Sequence, residues 1–266
     1  MKNLTRREVL GSVGLAAGTG LLPRCAAELR AGEDDGSGTS KGRAFVPLDP
    51  AAIADKAYRI FPDGACMYAT FASIVTSLGE LVGEPYRSFP VDMMRYGEGG
   101  ISGWGTVCGA LNGAAAMIGL IYPGKDGARR AELVAELFSW YEQSQLPKFR
   151  PTQTAVSSEI PSSIAKSVSN SVLCHVSVSR WCKVSGCDAF SPEKRERCRR
   201  LTADVVRKTV ELLNRSQEPA SRFAELSSET NSCVACHGKT DRADAMVKMR
   251  CVTCHSDLGK CPQAKE

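Results

Sequence analysis

Cys233-Val234-Ala235-Cys236-His237 and Cys251-Val252-Thr253-Cys254-His255 repeat one pattern, C-x-x-C-H, near the end of a 266-residue chain. Thiols three positions apart share a helical turn and can form thioethers with the two vinyl groups of a porphyrin. The adjacent imidazole then reaches the iron from one face. The pattern predicts two c-type haems, attached through Cys233, Cys236, Cys251 and Cys254, with His237 and His255 as proximal ligands. The same cysteines also read C-x2-C-x14-C-x2-C, close to a tetrathiolate zinc spacing. Histidine decides between the two: the chain has only three, and two of them directly follow the second cysteine of a pair. A four-cysteine zinc site has no use for them there. Eighteen residues between His237 and His255 span at most about 27 Å as a helix, so the haems are close neighbours. Residues 215 to 266 hold too few large apolar side chains to cover two porphyrins, so the haems are covered by each other, by the helical domain or by a second subunit, and direct haem-haem contact and a homodimer are the predictions.

After the proximal ligands only His175 remains for two distal positions. It sits in Val172-Leu173-Cys174-His175-Val176 and is the candidate distal ligand of one haem, across a dimer or within the chain. Met246 and Met249, between the motifs, are candidates for the other, which could equally take another donor or stay open. Four further cysteines cluster at Cys174, Cys182, Cys187 and Cys198, the last among Lys194, Arg195, Arg197, Arg199 and Arg200, cationic neighbours that favour a thiolate. An iron-sulfur cluster, disulfides and a zinc site are the competing readings. Export of an already folded protein favours the cluster, which is assembled before export, whereas disulfides need no such order. Cys66 and Cys108 stand apart as buried packing residues, or alternatively as a redox-active pair. Cys261 has no assignment.

These residues need elements to position them. Residues 1–27 carry a twin-arginine pair (Arg6, Arg7), a Gly/Ala/Leu stretch and Cys25-Ala26-Ala27, the parts of a Tat export signal. Gly11, Gly14, Gly18 and Gly20 would each weaken a folded helix by about 1 kcal/mol. Arg24 argues against a lipid anchor at Cys25. Residues 28–48 are polar and Gly/Ser-rich, a flexible linker. Apolar spacing of three and four predicts helices over 51–60, 65–82, 107–121, 129–145, 170–181 and 192–214, with Ser191-Pro192-Glu193 as cap, first-turn proline and first-turn acid. The charged run 193–200 reads as a solvated helix face. No alternating strand pattern stands out. The expected fold is mainly α: a helical domain over 49–214 holding the iron-sulfur site, then a short, irregular dihaem-binding segment over 215–266.

Composition narrows the function classes. At 43% hydrophobic and 24% charged the chain is neither collagen-like nor disordered as a whole. Lys2, Arg6, Arg7 and Arg24 against Glu8 supply +3 of the formal +5, so the exported part is nearly neutral, unlike a nucleic-acid binder. The longest uncharged apolar run, 9–23, falls short of the roughly 20 residues of a membrane-spanning helix. The glycine-dense loop 97–105 lacks the Lys-Ser/Thr ending of a phosphate-binding loop and reads as a tight turn beside Cys108.

Gly64-Ala65-Cys66-Met67-Tyr68-Ala69, the block Cys108-Gly109-Ala110-Leu111-Asn112-Gly113-Ala114, Cys174-His175 with Trp181-Cys182, and the terminal haem motifs together resemble the split-Soret cytochromes c. More broadly they resemble the redox-active family named for its C-GCAxxG-C-C cysteine pattern. The resemblance covers about residues 50–260. It implies a dimeric, mostly helical protein with two haems per chain, all four grouped at one end and stacked in pairs, plus a two-iron cluster. We assign that [2Fe-2S] cluster to Cys174, Cys182, Cys187 and Cys198, one of which Cys66 or Cys108 could replace. The expected function is periplasmic electron transfer with other periplasmic redox proteins. The alternative is a small reductase working at an open haem position or at a Cys66/Cys108 pair.

Overall fold

Asp49 starts the first helix: its carboxylate accepts from the amides of Ala51 (2.8 Å) and Ala52 (3.3 Å), with Pro50 in the first turn, where its missing N–H costs nothing. The computed structural model describes residues 43–124, 127–151, 163–218, 226–238 and 248–255. The expected export signal with Cys25, most of the expected linker, Met246 and Cys261 lie outside the described residues.

Helix α1 runs Pro50–Leu81, but its dihedrals break at Gly64 and Ala65, so the two helices expected from the apolar spacing are both present, joined at a bend. Pro62 withholds an amide from the ladder just before the bend. Ala65, at φ 60 and ψ −158, occupies a region other residues leave to glycine, at a cost on the order of 1–3 kcal/mol. The bend immediately precedes Cys66. A 3-10 segment, Val91–Gly97, leads into the glycine loop. Then follow α2 (Gly109–Ile121), α3 (Gly127–Gln143), a strand pair β1 (Gln145–Leu146) and β2 (Ser167–Val168), α4 (Cys174–Ser185), α5 (Pro192–Arg215), α6 (Ser228–His237) and a 3-10 turn at Cys251–Thr253. The strands are antiparallel, with Gln145 opposite Val168 and Leu146 opposite Ser167. Two residues each, they leave the fold mainly α, as expected.

α1 packs along α5 and against α2, with α3 on α2 and α5. Phe71, Ile74 and Leu78 of α1, Leu111 and Ile118 of α2, Leu137 of α3 and Val205, Val206 and Leu213 of α5 form one buried cluster. The spacing on α5 is the four-residue stripe of a core-facing helix. Ser191 caps that helix, accepting from the Lys194 amide at 3.2 Å. No helix among the described residues is long and apolar enough to cross a membrane.

Three expectations change. The linker does not extend to Leu48: Phe45 and Val46 pack on the core, Leu48 is buried, and Asn214 brackets the Leu48 backbone with bonds of 3.1 and 2.8 Å. Burial of these apolar side chains outweighs the polar stretch before them. The helix expected from Asn170 starts at Cys174, because Ser169 and Ser171 bond the local backbone and Asn170 sits at φ 51, which competes with helix. The charged run on α5 is not simply a solvated face. Glu196, Arg197 and Arg200 are buried, with Arg200 paired to Glu196 at 2.6 Å and Tyr58 donating to Glu196 at 2.9 Å. Burial and that carboxylate push the Tyr58 phenol up to about 12.

Candidate functional site

Two arrangements carry chemistry, a four-cysteine cavity inside the helical body and the two C-x-x-C-H turns docked on it. Cys66 after the α1 bend, Cys108 at the N-cap of α2, Cys174 at the start of α4 and Cys198 near the start of α5 all line one cavity of about 460 Å³. None is in a disulfide. Each is delivered by a local device. The Cys66 thiol reaches the Gly97 carbonyl at 3.4 Å. Gly109 makes that approach possible: a Cβ there would lie 1.9 Å from the Gly97 oxygen and 2.5 Å from the Cys66 sulfur. Cys108 and Cys174 are held side by side by an isolated bridge, Val107 to Leu173, with the Cys108 amide donating to Val172 at 2.9 Å and the Cys174 amide to Thr106 at 2.7 Å.

The cavity wall carries a polar lattice. Tyr141 donates to Ser177 at 2.9 Å and contacts the Cys108 thiol. Arg197, 2% exposed, donates to Ser177 at 2.7 Å and reaches the Cys198 sulfur at 3.9 Å, while its Nε has no partner among the described residues. Burial pushes the Cys66 thiol far up, with the nearby sulfurs adding to the shift. It also raises Cys108 against the opposing Tyr141 hydrogen bond, and Cys174 to about 12. Metal-free, these three are thiols at neutral pH, and thiolate ligation must expel their protons. Among the described residues no three Cys, His, Asp or Glu are placed to hold a single ion. Four thiols spread round a shared void suit a polynuclear centre bound through several cysteines.

Of the four expected cluster ligands, the structure brings Cys174 and Cys198 to this cavity and leaves Cys182 and Cys187 off its lining. Helix geometry is the reason. Cys182 is eight residues along α4 from Cys174, about 12 Å up the axis. One turn on from Cys174 it is Ser177 and Val178 that line the cavity. Cys187 lies beyond Gly186, which ends α4 at φ 75. Beside these two on the lining stand Cys66 and Cys108, expected as packing residues, as a redox-active pair, or as a replacement for one cluster ligand. The blocks Gly64–Ala69 and Cys108–Ala114 were the signal that could have assigned them.

The haem motifs each occupy a helical turn. Cys233, Cys236 and His237 form the last turn of α6, whose cap Ser227 accepts from the Thr230 amide at 3.2 Å. In the second motif the His255 amide donates to the Cys251 carbonyl at 2.9 Å, and Cys254 and His255 are exposed. Arg250 ties the two motifs together and to the body. Its guanidinium donates to Glu229 of α6 at 2.6 and 3.1 Å and to Asn170 at 3.0 Å, and its amide points to Glu142 at the end of α3, 3.5 Å away. Thr253 bonds the Asn170 carbonyl. Burial raises the Glu142 carboxyl above its ordinary range, opposed by Arg250.

His175 is exposed in the first turn of α4, its Nδ1 2.9 Å from the Gly105 carbonyl. A carbonyl only accepts, so in the neutral ring Nδ1 carries the hydrogen and Nε2 keeps the lone pair that binds metal. Gly105, at φ +69, allows the close approach: a Cβ there would come within 2.9 Å of the His175 Cβ. Met249 packs against the core cluster and lines a second cavity beside α3.

Residues 68–212 match the model of the C_GCAxxG_C_C family, described by that cysteine pattern and by redox activity, and the chain belongs to that family. Within it, the chain is 38% identical over 276 residues to split-Soret cytochrome c from Desulfovibrio desulfuricans, covering 96% of this chain and 95% of that protein. The solved structure of split-Soret cytochrome c from strain ATCC 27774, described for a novel iron centre, matches with a TM-score of 0.72 and 39% identity, over 80% of this chain and 89% of that one.

Proposed function

We propose that this chain is a periplasmic electron-transfer protein carrying two c-type haems and one [2Fe-2S] cluster, the cluster held by Cys66, Cys108, Cys174 and Cys198. The observation that carries the reading is the pairing of two C-x-x-C-H turns, latched together by Arg250, with a four-cysteine cavity in the same body. Haem iron and an iron-sulfur cluster, when bound, pass single electrons by changing oxidation state. The chain's own residues supply the rest. Cys233 and Cys236, and Cys251 and Cys254, would hold the porphyrins, and His237 and His255 the irons. His175 would offer Nε2 as a distal ligand, with Gly105 fixing its tautomer. Its exposure favours a haem of a second copy, so we propose a homodimer that closes over the haems. Periplasmic location and Tat export rest on residues 1–27 and on the compartment in which haem thioethers are made. The electron partners are other periplasmic redox proteins.

The donor set fits the cluster. Four non-disulfide thiols face one void, and a buried cation with an unpartnered nitrogen stands beside them. The rival dithiol reading uses only Cys66 and Cys108 and leaves Cys174 and Cys198, on the same cavity lining, without a role. The other rival, an open haem position, keeps one support: three histidines cannot fill four axial places. A pyridine haemochrome assay on periplasmically produced protein should give two haems per chain, and none would refute the reading. Carbon monoxide should leave the reduced spectrum of an electron carrier essentially unchanged, and a full shift would favour the reductase. Ultracentrifugation of the holoprotein should give a dimer, with a stable monomer counting against it.

A further inference from the structure

Arg197 is a buried cation on the lining of the four-cysteine cavity. It lies on α5 beside Cys198, 2% exposed, with one nitrogen on the Ser177 hydroxyl at 2.7 Å, another 3.9 Å from the Cys198 sulfur, and the third unpartnered. The neighbouring buried arginine, Arg200, has its carboxylate in Glu196 at 2.6 Å, and Glu98 at the cavity rim is turned to Arg195 at 3.9 Å. Arg197 has no carboxylate within ion-pairing distance among the described residues. A buried charge without an anion is costly, and proteins keep one where an anion arrives. It shares the cavity lining with the four cysteines, Ser177 and Tyr141, and with two further cations, Lys194 and Arg195, and the Tyr141 to Ser177 bond of 2.9 Å holds the hydroxyl on which the guanidinium rests.

We infer that Arg197 is the built-in counter-ion of the metal-thiolate centre in this cavity, positioned by Ser177 and Tyr141, and that its charge sets how readily the centre accepts an electron. This rests on the cluster reading of the cavity. Iron bound through four cysteine thiolates gives the centre net negative charge, and one-electron reduction adds one more unit. Arg197 gives up no proton and no electron; its fixed positive charge stabilises the reduced form more than the oxidised one. It is a positioning residue, since it touches the ligands and not the electron partner.

The experiment is a redox titration of the non-haem centre in the full holoprotein, followed by electron paramagnetic resonance, with dithionite as reductant. In R197M the one-electron equilibrium should move at least tenfold toward the oxidised form, a downward shift of about 59 mV or more, and R197K should recover most of it. S177A, which keeps the charge but removes its anchor, should shift in the same direction by less. Iron and acid-labile sulfide are counted on every variant. Wild-type protein without non-haem iron overturns the cluster reading itself. Wild-type protein with a cluster, but with R197M and S177A both at the wild-type potential, overturns the role of Arg197 and leaves the cluster standing. If R197M loses its iron, S177A decides: the wild-type potential in S177A overturns the proposal, and a downward shift in S177A supports it.

Discussion

A methyl group at Gly109 tests how the cavity is assembled. The Cβ of G109A would meet the Gly97 carbonyl at 1.9 Å and the Cys66 sulfur at 2.5 Å, where real Cβ contacts stay above 3.0 Å. The sulfur can rotate away, but the carbonyl belongs to the backbone at the end of the 3-10 segment and cannot. Overpacking of this kind costs about 1–3 kcal/mol, and a rigid obstacle places it near the top. Lower unfolded-state entropy returns roughly 0.4–1 kcal/mol for Gly to Ala. The net, about 2 kcal/mol, corresponds to roughly 4–8 °C in Tm for a domain of this size. G119A in the same helix is the control: its Cβ finds nothing nearer than 3.8 Å, so Tm should stay level or rise slightly. Because the displaced atoms include the Cys66 sulfur, G109A should also lose non-haem iron while keeping both haems. Scanning calorimetry with iron analysis reads both effects. A G109A protein with the Tm and iron content of the wild type would refute the close approach of Cys66 to the head of α2.

Three further outcomes are expected. The double variant C182S/C187S should retain non-haem iron and C108S should lose it, and the reverse would return the ligands to α4. Glu142 has its folded pKa raised by burial, so the stability it contributes is present below its unfolded value near 4.5 and is lost as pH rises through the folded value; E142Q should gain more Tm relative to wild type at pH 7 than at pH 4, and an equal difference at both pH values would contradict the shift. Removing the Arg250 latch in R250M should cost about 1 kcal/mol, modest because the pair with Glu229 is partly exposed, and should speed hydrogen exchange in α6 and around residues 251–255 while α1 and α5 keep their protection. Uniform protection would show that the two haem turns dock by other means.

The helical class and the haem turns were legible because each depends on short-range pattern. Apolar residues every three or four positions mark α1, α2 and α5, and the C-x-x-C-H pairs sit on single turns, as thioether chemistry demands. The Ser191 cap was legible for the same reason. What depends on distant residues meeting was not. Cys66 and Cys108 are 42 positions apart in sequence and become neighbours through the Ala65 bend and the close pass at Gly109, neither of which leaves a periodic trace. Cys182, near Cys174 in sequence, lies off the cavity lining because eight residues of helix separate the two. Arg197 was hidden in a charged run that looks solvated. Its burial follows from packing of α5 against α1, and Glu196 to Arg200, four apart, was the one readable sign that part of the run pairs internally. The Arg250 latch joins α3, Asn170, α6 and the second haem turn, four places that no local motif connects.

The most direct measurement is total iron against haem and acid-labile sulfide, per chain, on protein matured in the periplasm. Two haems, two further irons and two labile sulfides are expected, with the non-haem iron and sulfide lost together in a C66S/C108S variant that keeps its haems. Iron equal to haem, with no labile sulfide in the wild-type protein, would contradict a cluster in the four-cysteine cavity.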